Sequence, residues 1–259
     1  MIRELGDLID GKYICNICVI YWLNLPILNS IMDNTLIDIP QPELGKGIYS
    51  IPDAAQILSM PTSKVRTWVN KYWEHDFLST KDNSGYTWGD RREKAFDFLT
   101  LIEIIAVDSF REIGVSFPMI KLAHQKLSEL LETKYPFAHA ELMSDGNSVF
   151  YEIEKSLLEL SEKQQFSFTE LVAPYCKKID FQQKTQLAER FWPLGKDHQI
   201  VVDPHHSFGR PIITGTNITT DAVLNMLKAG EEPEFVASIY DLSLSEVKDV
   251  ELFMSLNAA

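Results

Sequence analysis

The chain has few cysteines: only Cys15, Cys18 and Cys176 occur among 259 residues. This odd, sparse set cannot supply a disulfide framework and indicates a reducing compartment, so we expect a cytoplasmic protein. Cys15 and Cys18 form a Cys-x-x-Cys pair, yet no second pair or histidine pair follows at the spacing of a zinc site. The cysteine pattern therefore predicts neither disulfides nor a bound metal.

Basic residues are also scarce, with 24 lysines and arginines against 37 acidic residues and a net charge of −13. Nucleic-acid affinity depends on lysine and arginine contacts to phosphates, so any DNA contact must be local. An acidic surface instead suits a basic protein partner. The 45% apolar content is close to the globular average and is enough for a packed core, and the length predicts two or three small domains.

Catalytic signatures are missing as well, since the sequence has no P-loop or paired-glycine fingerprint. The most reactive-looking stretch is "DPHHSFGRPIITGTNI", residues 203–218, with His205, His206 and Arg210. Adjacent residues on an extended segment face opposite ways, and no nucleophile or set of metal ligands accompanies the histidines. We therefore expect no enzymatic activity, no catalytic residue, no cofactor and no metal. An enzyme built on His205 and His206 is the alternative.

The most apolar segment is "YICNICVIYWLNLPILNSI", residues 13–31, which approaches the ~20 residues needed to span a bilayer. Asparagines and Pro26 interrupt it, the preceding charges are mixed, and no signal-peptidase site is evident. We expect residues 1–46 to be an extension without membrane contact, in which residues 1–31 are either upstream of a true start at Met32 or a loosely attached part of the chain. A membrane anchor is the alternative.

Residues 47–73 carry two short helical patterns joined by a tight turn, as in a helix-turn-helix. Ser50 or Pro52 suits the first helix start, Pro61 ends that helix, and Thr62 or Ser63 can cap the second. Val65, Trp68 and Val69 then face inward, and "DNSG" at residues 82–85 predicts a hairpin wing. Over residues 47–100 acidic and basic residues are equal, seven each, which is positive relative to the rest of the chain. The predicted DNA-contacting residues on the second helix and the wing are Ser63, Lys64, Arg66, Thr67, Lys71, Arg91 and Arg92, with Lys94 also at the end of the wing.

Residues 95–132 read as two amphipathic helices broken at residues 114–118. Together, "YSIPDAAQILSMPTSKVRTWV" and "LTLIEIIAVDSFREIGVSFPMIKLAHQKL" make residues 47–135 resemble a MerR-type winged-helix DNA-binding domain. The resemblance implies binding of promoter DNA, and paired operator half-sites make a homodimer the expected oligomer. The dimerisation coiled coil of MerR-type regulators does not follow residue 135, so a role in effector sensing is not implied.

Residues 136–198 predict a small β-rich connecting segment, with a hairpin at Asp145-Gly146. Two further strands are predicted at 199–204 and 210–215, and three helices follow them. Together these strands and helices make a C-terminal domain over residues 199–257. The predicted helix boundaries are Thr219 or Thr220, Gly230, Pro233, and Ser243 or Ser245 with Glu246. The expected fold is therefore α+β and mainly helical, with a winged helix in front and a three-helix domain at the end.

This C-terminal pattern resembles a small family, long catalogued as a domain of unknown function, that is common in VapB-like antitoxins. The residues that carry the resemblance are Asp203-Pro204, Gly209, Pro211-Ile212, Gly215-Thr216, Ile218, Ala229-Gly230, Glu234, Ala237 and Tyr240. With the winged-helix front, the chain resembles a type II antitoxin, which implies a PIN-like ribonuclease toxin as partner and binding to its own promoter. A stand-alone MerR-like transcription regulator is the alternative.

The C-terminal segment carries little positive charge: residues 199–259 hold three basic residues against nine acidic ones. A helix-turn-helix with that balance is a poor phosphate binder. We therefore expect this domain to contact protein, either the toxin or another copy of the chain, and we assign DNA to the first domain.

Overall fold

The computed structural model describes residue 43 and residues 45–77, 86–89, 93–112, 114–142 and 175–256. Residues 1–42, the two predicted hairpin turns "DNSG" and Asp145-Gly146, and Arg91 and Arg92 lie outside the described residues. The described part is α+β and mainly helical, as predicted. Its strands are β1 Tyr49–Ser50, β2 Thr87–Trp88, β3 Ala95–Phe96, β4 Ile179–Phe181, β5 Ala188–Phe191, β6 Ile200–Val202 and β7 Pro211–Ile213. Its α-helices are α1 Ile51–Leu58, α2 Thr62–Trp68, α3 Phe98–Glu112, α4 Phe117–Leu130, α5 Thr220–Lys228, α6 Pro233–Tyr240 and α7 Leu244–Leu256.

Helix α1 has capping interactions at both of its ends. The Ser50 hydroxyl accepts a hydrogen bond from the Asp53 backbone N–H, and the Asp53 carboxylate accepts one from the Ser50 N–H, which makes a capping box. At the other end Ser59 adopts a left-handed backbone with φ 53°, and the Met60 N–H donates to the Ala55 carbonyl at 2.9 Å. These bonds close α1 and turn the chain directly into α2.

Helix α2 departs from the prediction at its start. Pro61, and not Thr62 or Ser63, occupies the N-cap position, with no side-chain hydrogen bond to the first turn. Pro61 has the extended backbone that the position needs, so Thr62 becomes the first helical residue and the predicted side-chain cap is wrong. Val65, Trp68 and Val69 are buried as predicted, and the helix continues as a π-helix over Val69–Asp76.

A three-stranded antiparallel sheet in the order β1-β3-β2 packs beside this helix pair. Tyr49 pairs with Phe96 across β1 and β3, and Thr87 pairs with Phe96 from the other side. The sheet therefore joins β1, which comes just before α1, with β2 and β3, which follow the helix pair in the chain.

The core is built around α3, whose buried residues occur on every side of the helix. Glu103 lies within it at 0% exposure. One carboxylate oxygen, Oε2, is 2.7 Å from Nε2 of the buried His124 on α4, and the other accepts the Phe137 backbone N–H at 2.8 Å. The His124 ring stacks on Phe77, with centroids 4.3 Å apart. A single carboxylate thus joins α3, α4 and the 3-10 turn Pro136–Ala138.

A second, four-stranded antiparallel sheet in the order β4-β5-β6-β7 follows. Phe191 of β5 pairs with Val202 of β6, so the sheet crosses residues 198–199, where the sequence suggested a domain boundary. Val202 packs in the core formed around α3, whereas Ile200, two residues earlier, packs with α5, α6 and α7. Strand β6 is therefore shared by the two hydrophobic cores.

The three C-terminal helices begin and end where their capping signals predict. The Thr219 hydroxyl accepts the Ala222 N–H, Gly230 follows the end of α5 with φ 93°, and Pro233 starts α6. The Ser243 N–H donates to the Glu246 carboxylate at 2.6 Å before α7. No helix among the described residues is long and apolar enough to cross a membrane.

The loop between β6 and β7 rests directly on β1. Three consecutive residues have positive φ: Ser207 at 48°, Phe208 at 58° and Gly209 at 85°. The Ile48 N–H donates to the Phe208 carbonyl at 3.1 Å, and a Cβ at Gly209 would lie 2.1 Å from the Tyr49 hydroxyl oxygen. Only glycine fits this close approach, so residue 209 fixes how the C-terminal loop meets the strand that precedes α1.

We expect Glu103→Ala to lower the free energy of unfolding by about 3–5 kcal/mol, because it leaves His124 and the Phe137 N–H buried without their partner. Glu112→Ala, at an exposed position of the same helix, should change it by less than about 0.5 kcal/mol. Chemical denaturation of both variants is the measurement. Equal losses would contradict the role given to Glu103.

We expect Gly209→Ala to destabilise the fold more than Gly230→Ala. Both substitutions place alanine at positive φ, which costs roughly 1–2 kcal/mol, but a Cβ at Gly230 meets nothing within 4 Å. At Gly209 the clash with Tyr49 adds an overpacking cost of about 1–3 kcal/mol. Thermal and chemical denaturation measure the difference, and indistinguishable variants would show that the contact with Tyr49 is unimportant.

Candidate nucleic-acid interface

The outer face of α2 presents most of the side chains that the sequence assigns to DNA. Ser63, Arg66, Thr67 and Lys71 are all exposed. Ser63 and Thr67 lie one turn apart, and the Thr67 hydroxyl donates to the Ser63 carbonyl at 2.8 Å. Lys71 lies in the π-helical continuation, its Nζ 5.4 Å from the centroid of the Tyr72 ring. The fold therefore gathers one arginine, one lysine and two hydroxyls on a single solvent-facing surface.

Lys64 belongs to the same helix but is held differently. Its ammonium forms an ion pair with the Asp108 carboxylate of α3 and lies 5.0 Å from the centroid of the Trp68 ring. Asp108 is largely buried, with a side chain 16% exposed. Because the charge of Lys64 is already balanced inside the protein, a phosphate would have to compete with Asp108 for it.

Lys94 was expected among the basic side chains at the end of the wing, and the structure corrects this. The side chain is 5% exposed, and its Nζ donates to the Asn70 amide oxygen at 2.8 Å. Lys94 therefore ties the start of β3 to the helix formed by α2 and its continuation, and it cannot face a nucleic acid. Arg91 and Arg92 lie outside the described residues, so their assignment stays a prediction.

The loop that contains His205 and His206 is organised by Asp203, a buried residue. The Asp203 Oδ2 atom is 3.1 Å from His206 Nδ1 and 3.1 Å from Arg190 Nε, and its Oδ1 atom accepts the His205 N–H at 2.9 Å. Both carboxylate oxygens of Asp203 therefore have partners within the protein. The carboxylate therefore orders the loop and its approach to β5.

The two histidines face different spaces. His206 lines a cavity of about 410 Å³ together with Arg190, Trp192 and Thr214, on the four-stranded sheet. His205 lines a second cavity of about 230 Å³ beside Gly45 and Asp97. The two imidazoles therefore do not converge on one point. The segment is not extended as the sequence suggested, because the His206 N–H donates to the Asp203 carbonyl at 3.0 Å and closes a turn.

Among the residues described in 43–256, no three histidine, cysteine, aspartate or glutamate side chains are close enough to hold a metal ion. Burial raises the pKa of the Cys176 thiol to about 12, although a hydrogen bond with Tyr175 opposes the shift. A thiol with that pKa is protonated at neutral pH and is a poor nucleophile.

Sequence reasoning missed the two carboxylates that organise this region, Glu103 and Asp203. Glu103 lies in the run "LIEIIAV", and a helix that is apolar on all sides is buried, so its acid must have a buried partner. No comparable local signal links Asp203 with Arg190, which is 13 residues away on another strand.

Known proteins match this chain in its C-terminal part and over most of its length. Residues 200–253 match a family model described as "Protein of unknown function (DUF433)", which spans β6 to α7 and confirms the C-terminal resemblance. Over 221 residues the chain is 22% identical to a Mycobacterium tuberculosis protein named "Putative antitoxin VapB45", covering 78% of this chain and 91% of that protein.

The fold is shared with a solved structure from Mycobacterium tuberculosis. The crystal structure of Rv2018 from Mycobacterium tuberculosis aligns with a TM-score of 0.63 and 22% identity, covering 78% of this chain and 96% of Rv2018. The similarity in fold therefore extends over most of both chains. Residues 200–253 therefore match DUF433, and most of the chain is similar to a protein named as a VapB antitoxin.

Proposed function

We propose that this chain is the antitoxin of a type II toxin–antitoxin system. In this proposal it neutralises a PIN-like ribonuclease toxin, binds its own promoter through residues 47–135 and has no catalytic activity. The observation that carries the proposal is the similarity to a VapB-named protein over 78% of the chain. The DUF433 match at residues 200–253 supports it, because the sequence pattern there resembles antitoxin C-terminal domains.

The DNA-binding part of the proposal rests on α1, α2 and the β1-β3-β2 sheet. We infer that they form a winged helix of the MerR kind, whose second helix would enter the major groove. The chain order strand, helix, turn, helix, strand, strand supports this inference. The solvent-facing Arg66 and Lys71 would contact phosphates or base edges. The Ser63 hydroxyl would donate a hydrogen bond to the DNA, whereas the Thr67 hydroxyl, which already donates to the Ser63 carbonyl, would accept one. Arg91 and Arg92 would supply phosphate contacts from the wing. Paired half-sites would make the active form a homodimer.

The strong negative charge limits where DNA can lie. The whole chain carries −13, whereas residues 47–100 are neutral, so the field is least repulsive at the first domain. The same charge favours a basic protein partner over the rest of the surface. A cytoplasmic antitoxin that represses its own promoter and binds a basic toxin would use both properties.

We expect Arg66→Ala to weaken binding to the promoter DNA and to reduce the slope of log affinity against log salt by about one, because one phosphate contact is lost. Arg91→Ala should act in the same way. Lys64→Ala serves as the matched control and should weaken binding less, since Asp108 already pairs with Lys64. Gel shifts over a series of salt concentrations provide the measurement, and unchanged binding in both arginine variants would refute the assignment of α2 and the wing.

The toxin part is tested by expressing this chain together with the protein encoded by the neighbouring gene. We expect the neighbouring protein to arrest growth when expressed alone, and we expect this chain to restore growth and to co-purify with it. A neighbour that is neither toxic nor bound would remove the antitoxin function. Promoter binding that persists in that case would favour a stand-alone regulator.

A further inference from the structure

Exposed large apolar side chains are concentrated in the last two helices, α6 and α7. Eight large apolar residues of the described chain are exposed, and five of them lie between residues 235 and 256. Two are on α6: Phe235 is 46% exposed and Ile239 is 55% exposed. They are four residues apart, so they lie on the same side of the helix. We call the surface formed by Phe235 and Ile239 the α6 face.

The α6 face is not needed by the core beneath it. The opposite side of α6 buries Val236 and Ala237 against the core residues Val247, Val250 and Phe253. Helix α6 therefore has two apolar surfaces: one packs against the core, and the other faces solvent. An exposed apolar surface rimmed by polar groups is typical of an interaction site.

Acidic residues surround the α6 face. The chain contains no lysine or arginine between Lys228 and Lys248, whereas it has five acidic residues there. Glu231, Glu232 and Glu234 are exposed at the N-terminal end of α6, and none of them forms an ion pair with another described residue. Glu232 occupies the N-cap position without a side-chain hydrogen bond, so these carboxylates are available to a partner.

Helices α6 and α7 form a second helix-turn-helix, yet its charge differs from that of α1 and α2. The exposed residues in the first three turns of α7 include Leu244, Lys248 and Leu252. This surface therefore offers one cation, whereas a helix that binds DNA needs several. A second copy of the chain would also fit poorly. A twofold interface places the same patch on both sides and would bring the two sets of glutamates together.

We propose that the α6 face, with the carboxylates of Glu231, Glu232 and Glu234, docks a basic, partly apolar surface of the toxin partner. Phe235 and Ile239 fill apolar depressions on that partner, and the carboxylates pair with lysines or arginines around them. This inference rests on the proposed function for the identity of the partner. The acidic apolar surface itself is independent of it.

The test measures binding of the full-length chain to the purified protein of the neighbouring gene. We expect Phe235→Ser/Ile239→Ser to raise the dissociation constant about tenfold or more, as for the loss of two central apolar contacts. We expect Glu231→Lys/Glu234→Lys to slow association about tenfold at low salt and to weaken its salt dependence. The matched controls are Leu130→Ser and Glu112→Lys/Glu129→Lys, at exposed positions of α3 and α4, and both should bind as the unmodified chain does.

The possible outcomes separate the two proposals. If the neighbouring protein binds and is neutralised but the α6 variants behave as their controls do, the docking surface is refuted and the antitoxin function stands. If the neighbouring protein does not bind, the antitoxin function fails. The docking surface is then tested with a synthetic amphipathic helix of leucine and lysine in place of the neighbouring protein. Binding of this peptide that is lost only in the α6 variants supports the surface, and binding that ignores them overturns it.

Two further measurements address the other occupants. Sedimentation of the unmodified chain and of Phe235→Ser/Ile239→Ser should give the same oligomeric state. A dimer that dissociates in this variant would show that the α6 face binds a second copy, which overturns the proposal. Promoter affinity should also be unchanged, and a loss comparable with that of Arg66→Ala would assign the face to DNA instead.

Discussion

A buried carboxylate is costly unless its oxygens are hydrogen-bonded, and this constraint determines how the helices of the N-terminal part are arranged. Glu103 meets it with His124 from α4 and with the Phe137 backbone N–H from the 3-10 turn. These partners can be reached only if α3, α4 and residues 136–138 meet at one place. His124 in turn stacks on Phe77, at the end of the helix that begins with α2. The position of the candidate DNA-binding helix therefore depends, through two contacts, on a group that never reaches solvent.

A similar carboxylate serves the C-terminal part, although its setting is closer to the surface. Asp203 holds Arg190, His206 and the His205 N–H, and the loop it orders presses Gly209 against Tyr49. Burial raises the pKa of the Tyr49 phenol well above its ordinary value, and Asp203, Asp97 and Asp53 raise it further. The phenol thus stays neutral beside the glycine. Since Tyr49 directly precedes α1, this contact links the DUF433 segment to the first residues of the helix pair.

Local signals in the sequence predicted much of this fold, and long-range pairings were beyond them. The boundaries at Ser50, Thr219, Gly230 and Ser243 follow from hydrogen bonds that span three residues, so the sequence carries local signals for them. Pro233 marks the start of α6 because the first helical turn needs no N–H donor from it. The ion pair of Lys64 joins residues 44 apart, and the bond of Lys94 to Asn70 joins residues 24 apart. A basic residue therefore looked available for DNA in both cases until the packing was known. The pairing of β5 with β6 was missed for the same reason, because each strand looked complete within its own segment.

The two helix pairs of this chain show how little a helix-turn-helix says about its partner. Both have a short turn and a buried inner surface, yet α2 and its π-helical continuation expose Arg66 and Lys71, whereas α6 exposes Phe235 and Ile239 beside three glutamates. The distinction comes from desolvation: a phosphate must exchange its counterions for fixed cations, whereas an apolar pair gains by excluding water. The exposed cations of the first helix pair and the exposed apolar side chains of the second therefore suit partners of different chemistry.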